Sequence, residues 1–157
     1  MSGEGSPTLS IPDSSALRVT VVAGNWHAEI SAGLIGGALR VLEASGAQVT
    51  VIRVPGSFEL PVVSLAALRE GADAVVALGV IIRGGTPHFE YVSAAATDGL
   101  TRVALDTGKP VGFGLLTLDN EQQGLDRAGL AGSTEDKGAE AAEAALVTAH
   151  LLARIRD

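Results

Sequence analysis

The sequence predicts an α/β fold in which helices cover both faces of a small parallel sheet. Three observations carry that prediction. Short β-branched runs alternate with longer segments whose apolar residues recur at helical spacing. One run, Asp73 to Ile82 (DAVVALGVII), is apolar on both faces, as a central parallel strand must be. Aromatic residues make up only 3% of a chain that is 46% hydrophobic, so Ala, Val, Leu and Gly do the packing, which suits thin layers in close contact.

The elements follow in order. Residues 1–16 are rich in Ser, Gly and Pro and are expected to form an extended or disordered arm, with a single domain over residues 17–157. Arg18 to Gly24 (RVTVVAG) reads as a buried strand. Ala28 to Ser45 carries Ile30, Leu34, Ala38, Val41 and Leu42 on one helical face and ends at Gly46. Val49 to Val54 is a second strand, stopped by Pro55-Gly56. Glu59 to Glu70 is a helix that tolerates Pro61 in its first turn. After the Asp73–Ile82 strand come a helix from Phe89 to Asp106 and a strand from Val111 to Leu118, which Gly112 and Gly114 weaken. A short helix, Glu121 to Arg127, and a long terminal one, Gly138 to Arg156, complete the chain.

Right-handed crossovers turn this alternation into a flavodoxin-like three-layer sandwich, its four parallel strands in the order 2-1-3-4. Ligands of such sheets bind beyond the carboxyl ends of the strands, at the point where strand order reverses.

Composition narrows the function. The chain has 157 residues, enough for one domain with a real core. Its net charge is −7, and its eleven Lys and Arg are scattered, so no basic face is available for nucleic acid. There is no cysteine, which excludes disulfides and thiolate metal sites, and no His/Asp/Glu set has metal-ligand spacing. No signal-like start or bilayer-length apolar stretch is present, so a cytoplasmic location and no membrane association are expected.

Chemistry gathers at the three expected strand ends. Four of the five aromatics, Trp26, Phe58, Phe89 and Tyr91, lie at or just past them. That distribution suits the wall of a pocket for a flat ligand, and equally a subunit interface; the two are compatible. In Arg83-Gly84-Gly85-Thr86-Pro87-His88, the two glycines permit positive φ and close approach of backbone N–H groups. Thr86 suits the N-cap and Pro87 the first helical position, so the helix start offers an anion site fit for a phosphate. His88, in the first turn, can give and take a proton near neutral pH. Glu59 begins a helix beside this region, while Arg127 and Lys137 flank a polar, Gly-rich stretch where they could contact phosphate. The only other lysine, Lys109, precedes the last strand at the opposite end of the sheet, which disfavours an enzyme-bound Schiff base.

Ordered motifs then make a family resemblance. Asn25-Trp26-His27, Gly56-Ser57-Phe58-Glu59-Leu60-Pro61, the run from Ala77 to Phe89, Phe113-Gly114-Leu115-Leu116-Thr117, Asp126-Arg127-Ala128-Gly129 and Asp136-Lys137-Gly138 together resemble the lumazine synthase family, over nearly all of the chain after residue 17. The resemblance implies condensation of 5-amino-6-(D-ribitylamino)uracil with 3,4-dihydroxy-2-butanone 4-phosphate, without a cofactor or metal. By position, it implies that Trp26 stacks on the pyrimidine and that Ser57, Phe58 and Glu59 hold the ring and ribityl chain. Val80, Ile81 and Ile82 would line the pocket with backbone hydrogen bonds, Gly85 and Thr86 with Arg127 would bind the phosphate, and His88 would move protons. Phe113 would close the pocket from a neighbouring subunit, and Lys137 would touch the phosphate region. Family members form homopentamers, some of which build hollow shells. The stretch Leu130 to Glu135 is longer than the tight turn of shell formers, so a bare pentamer is expected, with the arm adding a strand to a neighbour's sheet. Two same-fold alternatives stay open on sequence: an archaeal-type riboflavin synthase and a non-catalytic shell protein.

Overall fold

The computed structural model describes residue 5 and residues 7–156. Much of the expected arm, residues 1–4 and 6, lies outside the described residues. The segment from Ile11 onward, read from sequence as part of that arm, packs on the domain. Ile11 and Leu17 abut the core. Ser14 is buried, its hydroxyl donating to the Pro12 carbonyl at 2.9 Å and lying 3.0 Å from His150 Nε2.

Four strands, β1 (Arg18–Gly24), β2 (Gln48–Val54), β3 (Ala74–Ile82) and β4 (Val111–Leu118), form one parallel sheet in the order β2-β1-β3-β4. The expected α/β sandwich and strand order are both present. Helices α1 (Ala28–Ala44) and α5 (Lys137–Arg156) pack on one face, and α2 (Leu60–Arg69) and α3 (His88–Thr107) on the other. A short α4 (Glu121–Leu125) follows β4 and touches α1.

Each strand's two-residue period assigns its side chains to the layers. On β3, Ala74, Val76, Leu78 and Val80 meet Leu34, Ala38 and Leu42 of α1 and Ala142 and Leu146 of α5. Val75 and Ala77 meet Leu60 and Leu68 of α2 and Ala96, Leu100 and Val103 of α3. The central strand therefore has to be apolar throughout, and it is.

The glycines of β4 work differently from the sequence expectation. A Cβ on Gly112 would stand 2.2 Å from the Ala141 carbonyl oxygen, so this glycine admits the backbone of α5 rather than merely weakening a strand. Edge strand β2 leaves Val51 and Ile52 exposed. Among the described residues no helix is long and apolar enough to cross a membrane.

Candidate active site

All four strands run the same way, so their carboxyl ends share one edge of the sheet, and three loops meet there. After β1 comes Asn25-Trp26-His27. Arg53 of β2 anchors it, Nε donating to Asn25 Oδ1 at 2.9 Å and Nη2 to the Gly24 carbonyl at 3.0 Å. His27 is the N-cap of α1 and has φ 55°, the one positive value at a non-glycine among the described residues. Such a backbone is uncommon for a side-chain-bearing residue and tends to occur where position matters. Trp26 points outward and is 67% exposed.

After β2, Gly56 lets the chain pass beneath this indole: a Cβ there would lie 3.3 Å from Trp26 Nε1 and 3.4 Å from Glu59 Oε2. Residues Ser57–Glu59 form a 3-10 turn ahead of α2, with Ser57 buried and Phe58 exposed. The expected helix start at Glu59 is thus split, with α2 proper beginning at Leu60 and Pro61 in its first turn.

After β3 comes Arg83-Gly84-Gly85-Thr86-Pro87 and then α3. Here the structure corrects two expectations. Pro87 is the N-cap and His88 the first helical residue, and no side chain caps the helix; the His88 N–H lies a long 3.5 Å from Thr86 Oγ1. Proline offers no side-chain acceptor, and the threonine sits one residue too early to cap well. Neither Gly84 nor Gly85 has positive φ, and a Cβ on either would meet nothing within 4 Å. What the glycines provide is open space above a helix start whose N-cap makes no side-chain hydrogen bond. Backbone N–H groups so placed are chemically able to receive an anion.

The three loops enclose a cavity of about 820 Å³. It joins Trp26 and His27 from the first loop, Ser57, Phe58 and Glu59 from the second, and Val80, Ile81, Ile82 and His88 from β3 and α3. Of the aromatics expected at the wall, Phe89 does not line it; Tyr91 does, together with Val92 and Ala95, which sequence reading did not assign to the site. With His88 they lie three, four and seven residues along one helix, a spacing that marks one face and could have revealed them. A smaller hollow of about 450 Å³ lies at the opposite end of the sheet, around Arg18, Gln48 and Glu70, without an aromatic side chain.

Gly85 and Thr86 sit on the rim loop rather than in the cavity wall. Phe113, Arg127 and Lys137 are not brought to the cavity within this chain. Phe113 pairs in register with Ala77, while the cavity begins at Val80, the partner of Leu116. Arg127 donates from Nη1 to the Gln123 carbonyl at 2.9 Å, and the Lys137 N–H donates to the Arg127 carbonyl at 2.9 Å, so the two travel together at the start of α5. Lys137 is ion-paired to Glu135 and Glu140. Burial opposes its charge, but hydrogen bonds to these two carboxylates leave its pKa above the usual lysine value. Both residues belong to the side of the sheet that carries α1, away from α2 and α3.

Arg83 spans the rim. Its Nε donates to Asp119 Oδ1 at 3.0 Å, Nη1 pairs with Glu90, and the guanidinium stands 4.2 Å above the Phe89 ring centroid.

A parallel α/β sheet with an aromatic-walled cavity at its carboxyl edge, a free helix start and a histidine beside it defines a small-molecule site at the topological switch point. The 6,7-dimethyl-8-ribityllumazine synthase family model matches residues 16–153. Named 6,7-dimethyl-8-ribityllumazine synthase, a protein of Clavibacter michiganensis is 73% identical to this chain over 99% of both sequences. One of the same name from Kineococcus radiotolerans is 65% identical over 94% of this chain and 92% of its own length, and one from Streptomyces avermitilis 55% over 100% and 98%. This chain belongs to the 6,7-dimethyl-8-ribityllumazine synthase family.

Proposed function

We propose that this chain catalyses the reaction for which its family is named. It condenses 5-amino-6-(D-ribitylamino)uracil with 3,4-dihydroxy-2-butanone 4-phosphate, releasing 6,7-dimethyl-8-ribityllumazine, phosphate and water. The observation that carries this reading is the cavity itself, which gathers Trp26, Phe58, Glu59 and His88 from three separate loops in a chain of that family.

The pyrimidine stacks on Trp26, whose exposed indole offers a free π-face. Ser57, Phe58 and Glu59 hold its ring and ribityl chain, and backbone groups of Val80, Ile81 and Ile82 line the floor. The butanone phosphate sits on the N–H groups at Gly85 and Thr86 and accepts from the Thr86 hydroxyl. The pyrimidine's own amine attacks the ketone, so no enzyme lysine is needed. His88 takes a proton from the attacking amine and returns it to the departing hydroxyl during imine formation. It then takes the proton whose removal drives phosphate out. Holding two reactants together supplies most of the acceleration, and proton transfer adds a smaller part.

Phe113, Arg127 and Lys137 act on the cavity of a neighbouring subunit, Phe113 closing it and the two cations meeting the phosphate. Their distance from this chain's own cavity supports that reading. So do the exposed apolar residues on β2 and the 49% exposure of Phe113. The assembly is a homopentamer with its sites between subunits. The cysteine-free composition suits a cytoplasmic enzyme.

The test is to mix the purified protein with both substrates and follow lumazine absorbance. Formation well above the uncatalysed rate is expected; a rate equal to it rejects the function.

A further inference from the structure

We propose that Arg83 is a positioning residue for the phosphate substrate: it ties the two ends of the 83–90 loop together and offsets part of the negative charge of the acids beside it. The proposal rests on the reading of Gly85 and Thr86 as the phosphate cradle.

The loop has little else to hold it. Residues 83–88 are exposed, and around Gly84 and Gly85 the space is open. A glycine-rich segment of this kind samples many conformations, so the N–H groups of the cradle need an external constraint to stay aimed at one point. Arg83 supplies it. Its backbone N–H donates to the Leu118 carbonyl at 2.8 Å, fixing the start of the loop to β4. Its side chain then reaches forward to Glu90 in the first turn of α3 and lies over Phe89 beside it. Sideways, it bonds Asp119 at the carboxyl end of β4. One planar fork thus joins both ends of the loop and the neighbouring strand end, a task for which a lysine point charge is poorly shaped.

Electrostatics adds a second role. Glu90 complements the dipole of α3, but a carboxylate in that first turn also repels any phosphate bound at the same helix start. Asp119 brings another negative charge to the rim. The hydrogen bond from Arg83 holds the Glu90 carboxyl below the usual carboxylate range, so Glu90 stays ionised and its charge has to be offset rather than titrated away. An exposed ion pair contributes little to stability. Here its effect falls on the binding of an anion.

Steady-state kinetics with each substrate varied separately tests this in Arg83→Gln, Arg83→Lys, the double variant R83Q/E90Q, and Thr86→Val as the cradle control. R83Q is expected to raise the KM for the butanone phosphate about fivefold while leaving the KM for the pyrimidine unchanged. Adding E90Q is expected to recover most of that loss, and R83K to fall between wild type and R83Q. An unchanged phosphate KM in R83Q, an equal rise in both KM values, or no recovery in the double variant overturns the proposal. Should R83Q fail to assemble, R83K alone decides: a selective rise in the phosphate KM supports the positioning role, and none rejects it. If wild type turns over but T86V leaves the phosphate KM untouched, the cradle reading fails and this proposal with it. If T86V raises it and R83Q does not, only the role of Arg83 is rejected.

Discussion

His88 begins α3 with its side chain at the cavity wall, one residue beyond a proline N-cap that contributes no hydrogen bond. An imidazole at that place can both take up and give back a proton. Proton transfer by a positioned side chain typically supplies a hundredfold or more, whereas juxtaposing two reactants can supply far more. His88→Ala is therefore expected to lower kcat by about 100-fold and leave a measurable rate. Loss of all detectable turnover in a correctly assembled variant would invert that ranking and make His88 the dominant contributor. Local sequence made this residue conspicuous because a histidine after Gly-Gly-Thr-Pro can hardly be a core residue. Its exact station in the helix was less legible: sequence pointed to Thr86 as the cap, and that depends on side-chain geometry that a motif does not encode.

At the scale of elements, α1 and the start of α5 leave their glycines almost no room. A Cβ on Gly138 would stand 2.0 Å from the Leu34 carbonyl oxygen, and one on Gly37 would stand 2.1 Å from Asp136 Oδ1. The first obstacle is backbone, which cannot rotate away. Gly138→Ala must push the helices apart along an interface that includes Leu34, Ala38, Ala142 and Leu146. Overpacking of this kind costs about 1–3 kcal/mol, and a melting temperature lower by several degrees is expected by calorimetry. An unchanged melting temperature would mean that α5 can slide without loss. Sequence reading found both helices but not this contact. A glycine in the first turn of a helix resembles any tolerated helix-start residue until its neighbour is known.

On the scale of the whole molecule, the proposed function has a neighbouring chain complete the cavity. Trp26 is 67% and Phe113 49% exposed, yet they occupy separate parts of the surface. Two chains placed so that the second covers the cavity of the first would bury both. Sedimentation velocity is expected to show a single species with the mass of five chains; a monomer at micromolar concentration would reject the shared site. Complementation is the sharper measurement. Trp26→Ala and Phe113→Ala are each expected to impair turnover, and co-assembling the two chains should regenerate a fraction of intact sites, raising activity above either variant alone. If mixed assemblies do no better than their components, the two residues serve the same cavity within one chain or none at all.

By itself, the sequence determined the four strands, the helices between them, the order β2-β1-β3-β4 and the loops that carry the chemistry. These follow from period, turn residues and the right-handed crossover, all of which act over a few residues or through a general rule of chirality. The tertiary structure alone decided three further matters. It added Val92 and Ala95 of α3 to the cavity, and it drew Arg83 across the rim to Glu90 and Asp119. It also carried Arg127 and Lys137 to the side of the sheet that bears α1 and α5. Each depends on which residues distant in sequence come to lie together once the layers pack, and local pattern does not encode that.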